Sequence, residues 1–332
     1  MKIGYLGAGT WGTALAKLLA EKGFDVIVWD RNSNRIKQLD ETRRHPKLEG
    51  SVIPKNIRYT SNLLEAITGV DLIVESITSL GIRSVFSEIK KLINLSCPVV
   101  LTSKGIEKDT HLLFPEILKE IFLDDKAHLI GCLSGPSHAE EVIKDMPTSV
   151  VSSSFDNKTS IFISEVFNTP TFRVYPNQDI MGVCFGGAMK NIIAIACGIS
   201  DGIGFGDNAK AALMTRGLHE IKKLSLVKKA NPETLNGLSG MGDLCVTCLS
   251  SLSRNYRFGQ LFAKGYSLKE AISSIGMVIE GVYSCVSAWQ LAAKHNIAVP
   301  ITEAVHSVLY DNLDPRNVVK LLMQRSIKQE LD

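Results

Sequence analysis

Net charge is nearly absent from this chain of 332 residues: 37 lysines and arginines face 34 aspartates and glutamates, leaving +3. That is too little to make nucleic acid the main partner, although local basic clusters can still hold the phosphate groups of a small molecule. A secretory leader is also missing. Met1-Lys2 runs straight into a strand-like segment, with no apolar stretch or small-residue cleavage site, so a cytoplasmic protein is expected. The sequons at Asn94 and Asn157 then carry little meaning. No internal repeat or low-complexity tract is present. Cysteines number only seven, an odd count, and stand in apolar surroundings such as IGCLSG and AIACGI. Reduced thiols suit that pattern better than a disulfide framework. Cys245 and Cys248 form one C-x-x-C, but no second pair follows at zinc-ligand spacing and the motif does not open a helix after a strand. Both read as packing residues, and no metal is expected.

What the chain does have is ordinary globular composition, 45% hydrophobic and 21% charged, and enough length for two domains with a sizeable core. Residues 1–175 alternate apolar β-branched runs with helical segments. KIGYLG, DVIVWD, DLIVESI, PVVLTSKG, HLIGCLSG and TSVVSSS read as buried strands of parallel type, and TALAKLLAEKG, NRIKQLDE and HLLFPEILKEIF as helices between them. After FRVYPNQD the strands stop. DNAKAALMTRGLHEIKKLSLVKKA, SLKEAISSIG, YSCVSAWQLAAKHN and DPRNVVKLLMQR carry helical periodicity, with Asp207 or Asn208 as the cap of the first. The fold expected is α/β: an N-terminal doubly wound Rossmann-type sheet over residues 1–178 and an all-helical C-terminal domain over residues 179–332.

Between Asp179 and Asp201 the only charged residue is Lys190, in a segment apolar on every side. A helix there is buried. A buried ammonium is costly unless paired, and desolvation lowers a lysine's pKa, so Lys190 is a candidate proton donor. A structural ion pair, a snorkelling side chain, a Schiff-base lysine and a membrane span are the competing readings; glycine content and the lack of a second span count against the last.

Gly7-Ala8-Gly9-Thr10-Trp11-Gly12 follows the first strand and opens a helix, and Asp30 ends the second strand. In that register the glycines allow a tight turn and close approach of a pyrophosphate, and the acid can hold ribose hydroxyls. Asp30 favours NAD, whereas Arg31, with help from Arg35, can accommodate the extra phosphate of NADP; both cofactors stay open. At the carboxyl ends of later strands stand Lys104 and Ser134-Gly135-Pro136-Ser137, where open α/β sheets bind ligands; a solvated lysine and an ordinary turn are the plainer readings. A dinucleotide beside a desolvated lysine suggests carbonyl reduction, in which the forming alkoxide needs a proton. Asp243, in a glycine-rich joint, either pairs with Lys190 or caps the next helix. Ser253-Arg254-Asn255 suits phosphate oxygens or is an exposed helix face.

GAGTWGTALA, LTSKGIE, SGPSHAEEV, GGAMKNIIAIACGISDGIGFGDNAKAAL, GLSGMGDLCVTC, SRNYRFG and VIEGVYS, in this order and nearly end to end, resemble the bacterial-type NAD(P)-dependent glycerol-3-phosphate dehydrogenase family. The resemblance implies reversible reduction of dihydroxyacetone phosphate to sn-glycerol 3-phosphate, the glycerophospholipid backbone. It implies Lys190 as acid/base with Asp243 as its neighbour in the substrate site, and Lys104, Gly135, Ser137, Ser253, Arg254 and Asn255 around the phosphorylated substrate. Trp11, Arg31, Lys104, Ala139, Arg254, Val278 and Glu280 would line the dinucleotide. The candidate assembly is a homodimer. The chain departs from the family pattern at Cys184, where an acid is common, at Ile77-Thr78-Ser79 and at Lys47-Leu48-Glu49-Gly50. Another two-domain dehydrogenase and a dinucleotide-sensing binding protein are the alternatives; retention of Lys190 and Asp243 argues against the second.

Overall fold

The structure is a computed structural model that describes residues 1–50, 52–326 and 329–330. Continuous β-branched runs form β1 (Lys2–Leu6), β2 (Asp25–Trp29), β3 (Ile57–Thr60), β4 (Leu72–Glu75), β5 (Val99–Leu101), β6 (Ile130–Ser134), β7 (Thr148–Ser154) and β8 (Phe172–Asn177). Helices α1 (Thr10–Glu21), α2 (Ser33–Thr42), α3 (Leu63–Ile67), α4 (Ile82–Leu92), α5 (Phe114–Phe122), α6 (Ala139–Val142) and α7 (Asn157–Phe167) lie between them. The strands make one eight-stranded sheet ordered β3-β2-β1-β4-β5-β6-β7-β8. The order reverses direction at β1 and β4, which opens a crevice beyond their carboxyl ends.

The six strand runs read from the sequence are all strands. Two more, β3 and β8, occupy the sheet edges, where IRYT and FRVYPN mix buried with exposed positions and so lack the continuous apolar signal. One expectation is corrected. β7 pairs antiparallel with β6, because the link between them carries only the four-residue helix α6, too little for a crossover that returns along the sheet.

From residue 180 the described chain is helical: α8 (Ile180–Ile203), α9 (Gly206–Ser225), α10 (Asp243–Leu249), α11 (Arg254–Ala263), α12 (Leu268–Ile275), α13 (Glu280–Lys294), α14 (Pro300–Tyr310) and α15 (Pro315–Met323). Asp179 opens α8 by accepting the Gly182 amide at 2.9 Å. α8 is long and apolar enough to cross a membrane (mean hydropathy 1.7), yet 89% of that stretch is buried inside the protein, as in the core helix of a globular domain. It meets α11 backbone to backbone: a β-carbon on Gly198 would collide with the Tyr256 carbonyl, and one on Gly259 with the Ile195 carbonyl. The expected cap at Asp207 or Asn208 is not used. Phe205 precedes α9 without a side-chain cap, and Asp207 sits in the first turn instead, where its charge suits the helix dipole. Ser267 and Glu270 cap α12 reciprocally.

The chain divides into two compact units, Met1–Lys104 with Phe114–Val183, and Gly105–Leu113 with Cys184–Asp332. The short segment that joins the second unit is fastened to α13: Ser287 Oγ donates to the Ile106 carbonyl at 3.2 Å, and His111 Nε2 lies 3.2 Å from Gln290 Oε1.

Candidate active site

In the first unit the glycine-rich turn is built as the sequence suggests. Gly7 has a left-handed φ of 107°, and a β-carbon there would stand 2.6 Å from the Ser76 carbonyl oxygen; only glycine fits. A β-carbon on Gly12 would strike the Gly7 carbonyl, so the start of α1 packs directly on the turn. Gly9 differs, since a β-carbon there would meet nothing within 4 Å. As N-cap of α1, Gly9 offers no side-chain hydrogen bond, which leaves the first-turn amides beside Thr10 and Trp11 facing an open cradle of positive potential. A pyrophosphate fits these observations, and Gly9, Thr10 and Trp11 would hold it.

Asp30 follows β2 and is buried. Its Oδ2 accepts the Ala8 amide at 3.0 Å and the Arg35 guanidinium at 2.8 Å, and its Oδ1 accepts the Asn32 amide at 2.9 Å. Asp30 thus fixes the glycine turn while Arg35 offsets its charge. Arg31 is exposed and reaches towards Gly81 and Thr78. The departing stretch Lys47–Gly50 lies in the turn between α2 and β3, with Leu48 buried and His45 behind it; burial, ahead of nearby Arg35 and Lys47, pushes His45 down to about 4.

On the same unit, Lys104 follows β5 and donates to the Gly135 carbonyl at 3.2 Å, and Ser137 Oγ donates to the same oxygen at 2.9 Å. The structure therefore brings Lys104, Gly135 and Ser137 together, with Ala139 at the start of α6. Beside them, the buried Ser134 hydroxyl has no hydrogen-bond partner among the described residues.

The second unit holds the other cluster. Lys190, 8% exposed on α8, forms an ion pair with Asp243, which is 1% exposed at the first position of α10. Lys190 Nζ also donates to Thr247 Oγ1 at 2.8 Å, and that hydroxyl donates to the Asp243 carbonyl at 2.6 Å. Asp243 pairs with the lysine; it does not cap α10, whose N-cap is Gly242 without a side-chain hydrogen bond, and it stands in the first turn instead. Two of the three ammonium donors are thereby directed, which fixes the direction of the third. Cys184, six residues before Lys190 on α8, is half-buried.

The next residue on α8, Asn191, accepts from Asn255 Nδ2 at 3.0 Å, and Asn255 Oδ1 accepts the Gly281 amide at 2.9 Å. Asn255 thus ties α8, α11 and the start of α13, where Glu280 stands. Ser253 caps α11 by accepting the Tyr256 amide at 3.3 Å, and Arg254 Nη1 donates to the Val278 carbonyl at 3.2 Å. Ser253, Arg254 and Asn255 are therefore a braced corner and not a solvated helix face. Sequence reasoning missed Thr247 and Asn191. The first carried a signal, since it follows Asp243 by one helical turn, the spacing that puts two side chains on one face. Among the described residues no group of acids, histidines and cysteines is arranged to hold a metal, and Cys245 and Cys248 carry free thiols.

An ammonium held between a carboxylate and a hydroxyl in a dry helical core can pass a proton to a nearby oxygen and be recharged. The comparisons agree with that chemistry. Residues 2–160 match the model of the NAD-dependent glycerol-3-phosphate dehydrogenase N-terminus, and residues 179–320 that of its C-terminus. The chain is 54% identical over 329 residues to a glycerol-3-phosphate dehydrogenase (NAD(P)+) of Protochlamydia amoebophila, covering 99% of both chains. It is 53% identical over 328 residues to that of Chlamydia pneumoniae, covering 99% of this chain and 98% of the relative. The crystal structure of glycerol-3-phosphate dehydrogenase from Coxiella burnetii superposes with a TM-score of 0.93 at 38% identity, over 98% of this chain and 99% of that one. By length, order and identity of the match, this chain belongs to the NAD-dependent glycerol-3-phosphate dehydrogenase family.

Proposed function

We propose that this chain reduces dihydroxyacetone phosphate to sn-glycerol 3-phosphate with NADH or NADPH, reversibly, and so supplies the backbone of glycerophospholipids. The observation that carries this reading is the buried Lys190–Asp243–Thr247 cluster in a chain matched over its full length to glycerol-3-phosphate dehydrogenases. Residues 1–178 serve as the dinucleotide-binding domain and residues 179–332 as the substrate and catalytic domain.

When bound, the nicotinamide supplies a hydride to the ketone carbon. Lys190 gives a proton to the ketone oxygen as negative charge develops there, and takes it back from the alcohol in reverse. Asp243 and Thr247 hold the ammonium in one orientation, and the Asp243 charge offsets the cost of burying it. Arg254, with the N-terminal amides of α11, faces the phosphate, a use of guanidinium and helix end together. Asn255 and Ser253 brace that corner. Lys104, Gly135 and Ser137 form the polar group on the first unit, and Gly7, Gly9, Thr10, Trp11, Gly12, Asp30, Arg31, Ala139, Val278 and Glu280 serve the cofactor.

A cytoplasmic location is part of the same proposal, supported by seven free thiols. So is assembly as a homodimer, which sedimentation of the purified chain tests. The reaction is tested by following the nicotinamide absorbance with dihydroxyacetone phosphate, using NADH and NADPH in parallel. Oxidation of either cofactor dependent on this ketone supports the reading. No oxidation with either, by folded protein, overturns it.

A further inference from the structure

Glu75 ends β4 at the switch point of the sheet and is completely buried. Its position is unusual for an acid, because among the described residues no cation forms an ion pair with it. Oε1 lies 2.6 Å from the Ile77 amide and 2.6 Å from Ser103 Oγ. Oε2 lies 3.3 Å from both the Thr102 and Ser103 amides. The carboxyl therefore clasps the loop after β4 to the loop after β5, one residue before Lys104.

The β4 loop in turn carries the glycine turn. The Ser76 amide donates to the Leu6 carbonyl at 2.7 Å, and the Ser76 carbonyl is the oxygen that excludes a side chain from Gly7. Glu75 thus sits behind the wall that a dinucleotide would face.

Proton arithmetic singles out one state of this clasp. Ser103 Oγ lies 2.6 Å from Glu75 Oε1 and 2.5 Å from the Ile77 carbonyl oxygen. Both are acceptors if Glu75 is ionised, and a hydroxyl has one proton. With the acid ionised, one of these two short contacts holds no proton, so two acceptor oxygens face each other at about hydrogen-bond distance and repel. A neutral Glu75 removes the conflict: its O–H donates to Ser103 Oγ, and the serine proton goes to Ile77.

We propose that Glu75 is a positioning residue for the nicotinamide dinucleotide, acting in its neutral form as the donor that lets Ser103 hold the Ile77 carbonyl. The inference rests on the first unit's being the cofactor domain. Burial pushes the Glu75 carboxyl up to about 7, against the pull of its hydrogen bonds from Ser103, Ile77 and Thr102. The neutral clasp is therefore present at mildly acidic pH and is lost as pH rises through neutrality. The other titratable or charged groups around it are Tyr5 on β1, Lys104 after β5 and Arg31 after β2. The Tyr5 phenol is bonded to Ser76 Oγ at 2.7 Å, and burial pushes it above its usual range, so it stays neutral.

The test is the affinity for NADH, whose diphosphate does not titrate near neutrality, measured across mildly acidic to alkaline pH by fluorescence. Wild-type affinity is expected to fall by roughly tenfold, equivalent to about one pKa unit of coupling. Glu75→Gln cannot ionise and is expected to show a flat profile. Its amide keeps a donor towards Ser103 but loses the acceptor that Oε1 offers the Ile77 amide, so its affinity is expected to lie between the acid-side wild-type value and that of Glu75→Ala. Glu75→Ala is expected to bind weakly at every pH, with near-ultraviolet circular dichroism reporting that each variant is folded. An equal pH slope in wild type and Glu75→Gln, or equal weakness of the two folded variants, overturns the inference. Absence of binding of both NADH and NADPH by the wild type overturns the cofactor reading itself, and the inference with it.

Discussion

Lys190 on α8 and Asp243 at the start of α10 meet as a buried ion pair between residues 53 positions apart in the chain. Lys190→Met removes the ammonium and retains the apolar stem. Turnover is expected to fall by roughly 10²–10⁴-fold, the worth of a general acid, with NADH affinity nearly unchanged. Steady-state rates beside a fluorescence titration check this; retention of more than about a tenth of the rate would remove Lys190 from acid catalysis.

Asp243→Ala leaves the ammonium buried without its carboxylate, which costs roughly 3–5 kcal/mol when one partner of a buried pair is removed. Both kcat and the melting temperature are expected to drop. Thr247→Val keeps shape and deletes one acceptor, worth about 1 kcal/mol, so a loss of about fivefold in kcat is expected with little change in melting. If Thr247→Val were as damaging as Asp243→Ala, the hydroxyl and not the carboxylate would be the principal anchor.

Arg254→Ala should raise KM for dihydroxyacetone phosphate by more than tenfold, since charge-assisted bonds contribute roughly 1.5–3 kcal/mol. The effect on unphosphorylated dihydroxyacetone should be small. An equal loss on both ketones would take Arg254 away from the phosphate.

Arg35→Ala strips Asp30 of its guanidinium at 2.8 Å. The bare carboxylate then repels a ribose phosphate, so KM for NADPH should rise several-fold more than KM for NADH. Parallel kinetics with both cofactors decide it, and an equal rise would show that Arg35 acts only through the fold of the turn.

Glu220 on α9 caps the start of α14: its carboxyl accepts the Ile301 amide at 2.6 Å and the Thr302 amide at 3.2 Å. Burial nevertheless pushes it up to about 7 from an ordinary value of 4.5. A raised folded-state value means that the protonated form is the one folding favours. Its contribution is fully present below about pH 4.5 and is lost as pH rises through 7. Urea midpoints over this window should therefore fall more steeply for wild type than for Glu220→Gln. Identical slopes would mean that the helix-end amides, and not burial, govern this carboxyl.

The legible parts of this molecule are those where one sequence pattern permits one physical solution. A lone lysine in an all-apolar helix must be buried and paired, and a glycine turn between strand and helix must face a phosphate or remain open. Asp243 was legible only as two options, because an acid in a glycine-rich joint serves equally as ion-pair partner or as helix cap; the fold uses it as the partner, and Gly242 takes the cap position. β3 and β8 escaped notice because edge strands need only half their residues buried. The antiparallel β7 carries the same composition as its parallel neighbours, so direction lies in the short link before it. Thr247 and Glu75 were invisible for a further reason. A threonine in a helix and an acid at a strand end are common, and only three-dimensional proximity to Lys190 and Ser103 gives them a role.

The central place of α8 makes the enzyme a reporter on itself. Mobile sites can lose activity by local opening while the core persists. Here the proposed proton donor, Lys190, rides on a helix enclosed by its own domain, at a crossing where glycines hold it against α11. Under denaturant, the catalytic signal and the exchange protection of the slowest α8 amides should disappear together, so that an activity assay measures global unfolding of the helical unit.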